Sequence, residues 1–213
     1  MKTETILNNL LKVKDNPLNA ELLDNVINEL KIDVYNESMG LKNRKQDPQK
    51  KALKFLNDNK KRFSGGRSCL AYAYQTNING NDVQVFTDSY IAFILKTFYN
   101  LPLWDNEKEK NKYPQIERIL PNKNHGEIVR FSFKDLLAKL KAKQIEEKDG
   151  TKLIEINSES YKCFFNADNI KKICDILGTT DLVMYLYGEM KAALIIDEKT
   201  DNQAVIVPIR KCC

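Results

Sequence analysis

The chain offers little with which to make or break a covalent bond. His125 is its one histidine and stands in the polar stretch NKNHGE, so neither a Ser-His-Asp triad nor a multi-histidine metal centre can be assembled within it. Gly65-Gly66-Arg67 lacks the Lys-Ser/Thr with which a glycine loop holds phosphate, and no Gly-x-Gly-x-x-Gly precedes a helical pattern. The five cysteines, Cys69, Cys163, Cys174, Cys212 and Cys213, are odd in number and form no Cys-x-x-Cys unit. They read as reduced thiols, with Cys163 and Cys174 packed as small apolar residues. Asp88 closes the apolar run VQVFT, a place where an acid most often caps a turn. No catalytic residue, metal or cofactor is expected.

Charge and apolar edges are better represented. Between Lys42 and Arg67, ten basic residues stand against Asp47 and Asp58, with Lys50, Lys51, Lys54, Lys60, Lys61 and Arg62 in the stripe. Such a run suits a polyanion, or is a solvated helix and loop. Two further segments combine proline, aliphatic residues and arginine: KYPQIERILPNKN near the middle, and QAVIVPIR close to the end. Val205, Val207 and Ile209 alternate as one face of a strand would, and Pro208 suits a strand edge. With 42% apolar and 30% charged residues in 213, the chain can bury a core of one large or two small domains. No stretch of eighteen apolar residues exists, and MKTETILNNLLKVK is amphipathic, not a signal peptide, which predicts a cytoplasmic protein with no membrane partner.

These residues need elements to position them. ETILNNLLKV and NAELLDNVINELKI, the latter capped by Asn19, carry helical spacing, and a third helix starts at Asp47-Pro48 and runs to the Gly65-Gly66 break. The period then changes to alternation in SCLAYAYQTNI and DVQVFTD, joined by the turn signal Asn79-Gly80. SYIAFILKTFYNL reads as strand or short helix, and PLWDNEKEKNKYPQ as a linker. Beyond it the pattern is strand EIVRFSF, helix KDLLAKLKAK, strands TKLIEIN and YKCFF, and helix NADNIKKICDILG between Asn166 and Gly178. DLVMYLYG, KAALIIDE and QAVIVPIR follow as three antiparallel strands. The expected class is α+β, helices packed on an antiparallel sheet, in three regions: an N-terminal helical region 1–66, a short β module with linker 67–111, and an α+β module 112–213. Ile170, Ile173, Ile176 and Leu177, with Leu136, Leu137 and Leu140, should form the buried helix stripes.

FNADNIKKICDILGTTDLVMYLYGEMKAALIIDEKTDNQAVIVPIR resembles the last part of the bacterial DNA polymerase III beta sliding clamp. KYPQIERILPNKN is similar to the interdomain segment of that family, and NGNDVQVFTDSYIAF to its Thr-Asp turn. The resemblance implies a DNA clamp-like fold and a replication accessory protein without enzymatic activity. It implies an apolar cleft for a linear peptide from a polymerase or other replication protein, made by Thr87, Ser89, Tyr90 and Ile91, by Pro114, Arg118 and Ile119, and by Val205, Val207, Pro208, Ile209 and Arg210. It further implies non-specific contact of helix lysines with double-stranded DNA, adding Lys134, Lys139, Lys141, Lys143, Lys171 and Lys172 to the stripe above, and a homo-oligomer if a ring closes. The chain departs from the family in carrying Ile91 where arginine is usual, in the roughly twenty residues between turn and Tyr-Pro segment, and in its N-terminal helices. The departures imply a shortened clamp. The alternative is a clamp-like adaptor or decoy of a phage or mobile genetic element that keeps the cleft and forms no ring; an enzyme is the remaining reading.

Overall fold

The computed structural model describes residues 47–63, 66–106, 112–132, 150–179 and 181–210. The two helices expected before residue 47, and the helix expected to carry Leu136, Leu137 and Leu140, lie outside the described residues.

Local sequence accounts for both described helices. The first, α1 (Pro48–Arg62), begins where Asp47 Oδ1 accepts hydrogen bonds from the amides of Gln49 (3.0 Å) and Lys50 (3.4 Å). Pro48 occupies the first turn, where its missing N–H costs nothing, and Lys60, Lys61 and Arg62 meet the negative end of the helix dipole. Ala52, Phe55, Leu56 and Asn59 are three or four apart and share the buried face. The second, α2 (Ala167–Leu177), starts at Asn166, whose side chain accepts from Asp168 and Asn169, and stops at Gly178 in the left-handed conformation, φ 70°. A side chain at Gly178 would also meet Pro48 Cγ at 2.7 Å, so glycine lets the end of α2 approach the start of α1. Ile170, Ile173, Ile176 and Leu177 are buried as expected.

Seven strands form an all-antiparallel sheet: β1 (Tyr74–Ile78), β2 (Asn81–Thr87), β3 (Ile91–Leu95), β4 (Glu127–Ser132), β7 (Asp181–Leu186), β8 (Ala193–Asp197) and β9 (Asn202–Ile206), in the order β1-β2-β3-β9-β8-β7-β4. The remaining pair, β5 (Leu153–Asn157) and β6 (Lys162–Asn166), makes a separate two-stranded sheet. Asn79 and Gly80 close the β1–β2 hairpin with φ of 51° and 79°, the geometry that an Asn-Gly pair favours. SYIAFILKTFYNL resolves as strand β3. The expected start of the first strand is corrected: Ser68–Ala71 is a 3-10 turn, because Cys69, Leu70 and Ala71 are buried in succession and not in alternation.

The two helices lie on one sheet face. Phe55 of α1 meets Phe93 edge-on at 5.4 Å, and Phe93 stacks on Phe86 at 4.8 Å, in a core continuous with Ile170 and Ile173 of α2 and Phe165 of β6. On the other face Val85, Ala92, Ile94, Leu194 and Val205 are covered by Cys69, Leu70, Trp104, Tyr113 and Ile116. The topology repeats: α1-β1-β2-β3 and α2-β7-β8-β9 are each a helix followed by three strands, and they meet where β3 pairs with β9. Strands on either side of the expected 111–112 boundary therefore share one sheet, and the helix assigned to the N-terminal region packs beside α2, with Lys51 Nζ 3.2 Å from Asp175 Oδ2.

Candidate functional site

Thr87–Ile91 is a tight turn held by its own side chains. Thr87 Oγ1 donates to the Ile91 carbonyl (2.7 Å) and accepts from the Ser89 amide (3.0 Å), while Asp88 Oδ1 accepts from the amides of Tyr90 and Ile91, both at 2.9 Å. Ser89 takes φ 77°, a left-handed conformation that this network stabilises. Asp88 thus caps a turn, as its position at the strand end predicted. Asn59 of α1 fastens the turn from below: its Nδ2, on a residue only 4% exposed, donates to the carbonyls of Thr87 (3.0 Å) and Leu70 (2.8 Å).

Above this turn lies an apolar cleft of about 420 Å³. Of the residues that the resemblance assigned to it, Thr87, Ser89, Tyr90, Ile91, Pro114, Ile119, Val205 and Val207 line it. Among the described residues six large apolar side chains are exposed, and three of them, Tyr90 (52%), Ile119 (52%) and Val207 (47%), stand on this one cleft. Arg118, Pro208, Ile209 and Arg210 do not line it. Arg118 is exposed on the outer side of the 3-10 turn Ile116–Ile119, whose Ile116 is the buried residue. β9 leaves the sheet after Ile206: the Val207 amide still donates to the Tyr90 carbonyl (3.1 Å), but the Ile209 amide donates to Phe164 of β6 (2.7 Å), which carries Pro208–Arg210 away.

Other residues take their place. Arg67 and Lys112 supply the cations at the cleft, Arg67 Nη1 donating to Ser89 Oγ at 3.3 Å, and Cys69, Leu70, Ala92 and Ile116 complete its floor. Arg67 had only its place in the basic run to mark it, and Lys112 had no signal in sequence. Burial pushes the Cys69 thiol above its usual range, so it lines the floor as a neutral group. Tyr113, its hydroxyl bonded to the Tyr72 carbonyl at 3.0 Å and its ring stacked on Tyr74, anchors the Tyr-Pro segment against the sheet; burial raises its ionisation well above that of a free phenol.

The second candidate surface is the α1–α2 face. α1 has six basic residues and the single acid Asp58 within its span, whereas α2 has Lys171 and Lys172 against Asp168 and Asp175. Lys50, Lys54, Lys60, Lys61, Lys171 and Lys172 are exposed. Lys51 is engaged with Asp175, and the Arg62 guanidinium lies against the Phe63 and Tyr90 rings, 5.3 and 5.2 Å from their centroids. A groove of about 400 Å³ between the helices is lined by Lys51, Lys54, Arg62, Lys171 and Lys172, but also by Asp58, Asp88, Asp168 and Asp175. Lys134, Lys139, Lys141 and Lys143 lie outside the described residues. Among the described residues no group of three or more His, Cys, Asp or Glu could hold a metal, and no helix is long and apolar enough to cross a membrane.

No protein-family model matches the sequence, and no curated protein matches it at a significant level. Among solved structures, DNA polymerase III subunit beta from Borrelia burgdorferi, in complex with a natural product, aligns with a TM-score of 0.54 at 12% identity, over 78% of this chain and 64% of that one. The beta sliding clamp of C. crescentus aligns at 0.47 and 12%, over 76% of this chain and 64% of that one. A sliding clamp from Bartonella birtlesii, bound to griselimycin, aligns at 0.41 and 17%, over 61% and 42%. The chain thus spans less than two thirds of the length of each. The Borrelia likeness establishes the fold: helices packed on a large antiparallel sheet in the manner of a sliding-clamp domain.

Proposed function

We propose that this protein is a clamp-like DNA replication accessory factor that docks a short linear peptide of a replication partner in the apolar cleft and rests its lysine-bearing helices on double-stranded DNA. The observation that carries the reading is the convergence of Tyr90, Ile119 and Val207 on one cleft, since exposed apolar side chains are unremarkable singly and informative when gathered. An extended peptide with an aliphatic and an aromatic anchor would cover them, and Arg67 and Lys112 favour an acidic residue beside the anchors. Burial of two or three anchors, less the cost of ordering the peptide, corresponds to a dissociation constant of roughly micromolar order.

The helix face supports the second half of the reading. Exposed lysines on helices attract phosphates without reading base edges, so contact with DNA would be independent of sequence and steeply sensitive to salt. Such a protein performs no covalent chemistry; holding DNA and a partner together is its activity. Encirclement of a duplex takes more than one unit of this kind, so a homo-oligomer is the assembly expected on DNA. The test is a titration of a labelled hexapeptide, with leucine and phenylalanine anchors beside one aspartate, into the full chain. Saturable binding in the micromolar range is expected; an absence of binding up to roughly millimolar concentration refutes the cleft.

A further inference from the structure

The Thr87–Ile91 turn is a wall shared by both hollows. Asp88 faces the α1–α2 groove, while Thr87, Ser89, Tyr90 and Ile91 face the cleft. One side chain reaches across the wall. Arg62 lines the groove, yet its guanidinium lies over the ring of Tyr90, the half-exposed wall of the cleft, and over Phe63 on its other aromatic contact. Asn59, three residues earlier on α1, holds the same turn through the Thr87 carbonyl, so the backbone beneath Tyr90 is fixed and its ring is the part left to move.

We propose that Arg62 couples the two hollows: a polyanion on the α1–α2 face draws the guanidinium off the Tyr90 ring and weakens peptide docking, and a docked peptide weakens polyanion binding by the same factor. The coupling rests on the peptide reading above. A guanidinium presents several N–H donors in a flat fork that fits a phosphate two at a time, and that charge-assisted contact exceeds an exposed cation–π contact in strength. With Arg62 withdrawn, Tyr90 loses the contact that orients its ring, and the peptide must order it. In the other direction, a peptide that covers Tyr90 excludes water from the guanidinium–ring contact and strengthens it, so removing Arg62 to a phosphate becomes harder. Linkage makes the two effects equal. An exposed cation–π contact corresponds to a change of about two- to fivefold in either affinity.

The experiment measures the affinity of the hexapeptide by fluorescence anisotropy at low salt, with and without a saturating 20-base-pair duplex of arbitrary sequence, on the full chain. In the parent, the duplex should raise the peptide dissociation constant about two- to fivefold. In Arg62→Ala, whose side chain is exposed and whose thermal melting should match the parent's, the constant should already be raised by that factor without DNA, and the duplex should add nothing. Lys61→Ala removes the same charge one residue away, outside both hollows; it should weaken the duplex and keep the coupling. A parent that fails to bind the duplex, a peptide affinity indifferent to it, or a coupling that survives in Arg62→Ala overturns the proposal. So does its loss in Lys61→Ala, which would assign it to the summed positive charge of the helix face and not to the Arg62–Tyr90 contact. Failure of the underlying peptide reading is seen separately, as a peptide that does not bind the parent without DNA.

Discussion

Val207→Asp should abolish peptide docking while leaving the sheet intact. Val207 is 47% exposed and its amide bond to the Tyr90 carbonyl comes from the backbone, so the substitution removes no hydrogen bond and little core. Full burial of a valine-sized side chain is worth roughly 1.5–3 kcal/mol, and the exposed half available to a peptide therefore about 1 kcal/mol. The new carboxylate must in addition shed water against an apolar anchor, which costs about 2 kcal/mol after the partial compensation that Arg67 and Lys112 can provide. The sum, about 3 kcal/mol, is a loss of roughly a hundredfold in affinity. Isothermal titration with the hexapeptide reads it, beside a urea melt as control. A dissociation constant within about threefold of the parent's would refute the placement of the peptide on Val207. Ile209→Asp is the counterpart: this residue is bonded to β6 through its backbone and lies outside the cleft lining, so its substitution should lower stability and leave peptide affinity within about threefold.

Asn59→Leu keeps approximate volume but takes the donor from two carbonyls, at Leu70 and Thr87, and should lower unfolding stability by about 2–4 kcal/mol in denaturant titration; a loss below about 0.5 kcal/mol would contradict the bonding. Charge reversal of Lys54 and Lys171 should weaken two duplexes of unrelated sequence equally and flatten the slope of log affinity against log salt; a sequence-dependent loss would contradict phosphate contact alone. Burial first, and then the Asp175 charge, pushes the Cys174 thiol from 9.0 up to about 12. A thiol held neutral in the folded state contributes stability that is whole below pH 9 and lost as pH rises towards 12, because the unfolded chain ionises first. Cys174→Val should accordingly soften the decline in that window, and an unchanged alkaline limb in equilibrium unfolding would show the thiol uninvolved.

What lies within a few residues was legible in the chain itself. Asp47-Pro48, Asn166 and Gly178 mark helix ends, and Asn79-Gly80 marks a hairpin, because a cap or a tight turn is decided by φ, ψ and one or two short hydrogen bonds. The buried stripe of α2 was equally readable, since a period near 3.6 implies a face whatever it packs against. The Thr87–Ile91 turn, the Tyr-Pro segment and the last strand could be named as partners only through the family resemblance. Their convergence depends on β3 pairing with β9, residues more than a hundred positions apart whose apolar faces would suit many neighbours. Two details of the cleft were decided by tertiary structure alone. Ile209 continues the alternation of Val205 and Val207, yet after Ile206 the chain turns so that its amide bonds the Phe164 carbonyl on the separate two-stranded sheet, a long-range contact that no local pattern encodes. Arg118 sits two residues after the lining Ile116 and immediately before the lining Ile119, yet the 3-10 turn leaves it outside the cleft, while Arg67 and Lys112 arrive from segments without any shared pattern. Side chains on irregular backbone have no period, so their direction follows from where the chain is pinned, and the pins here are Asn59, Tyr113 and the Ser89 turn.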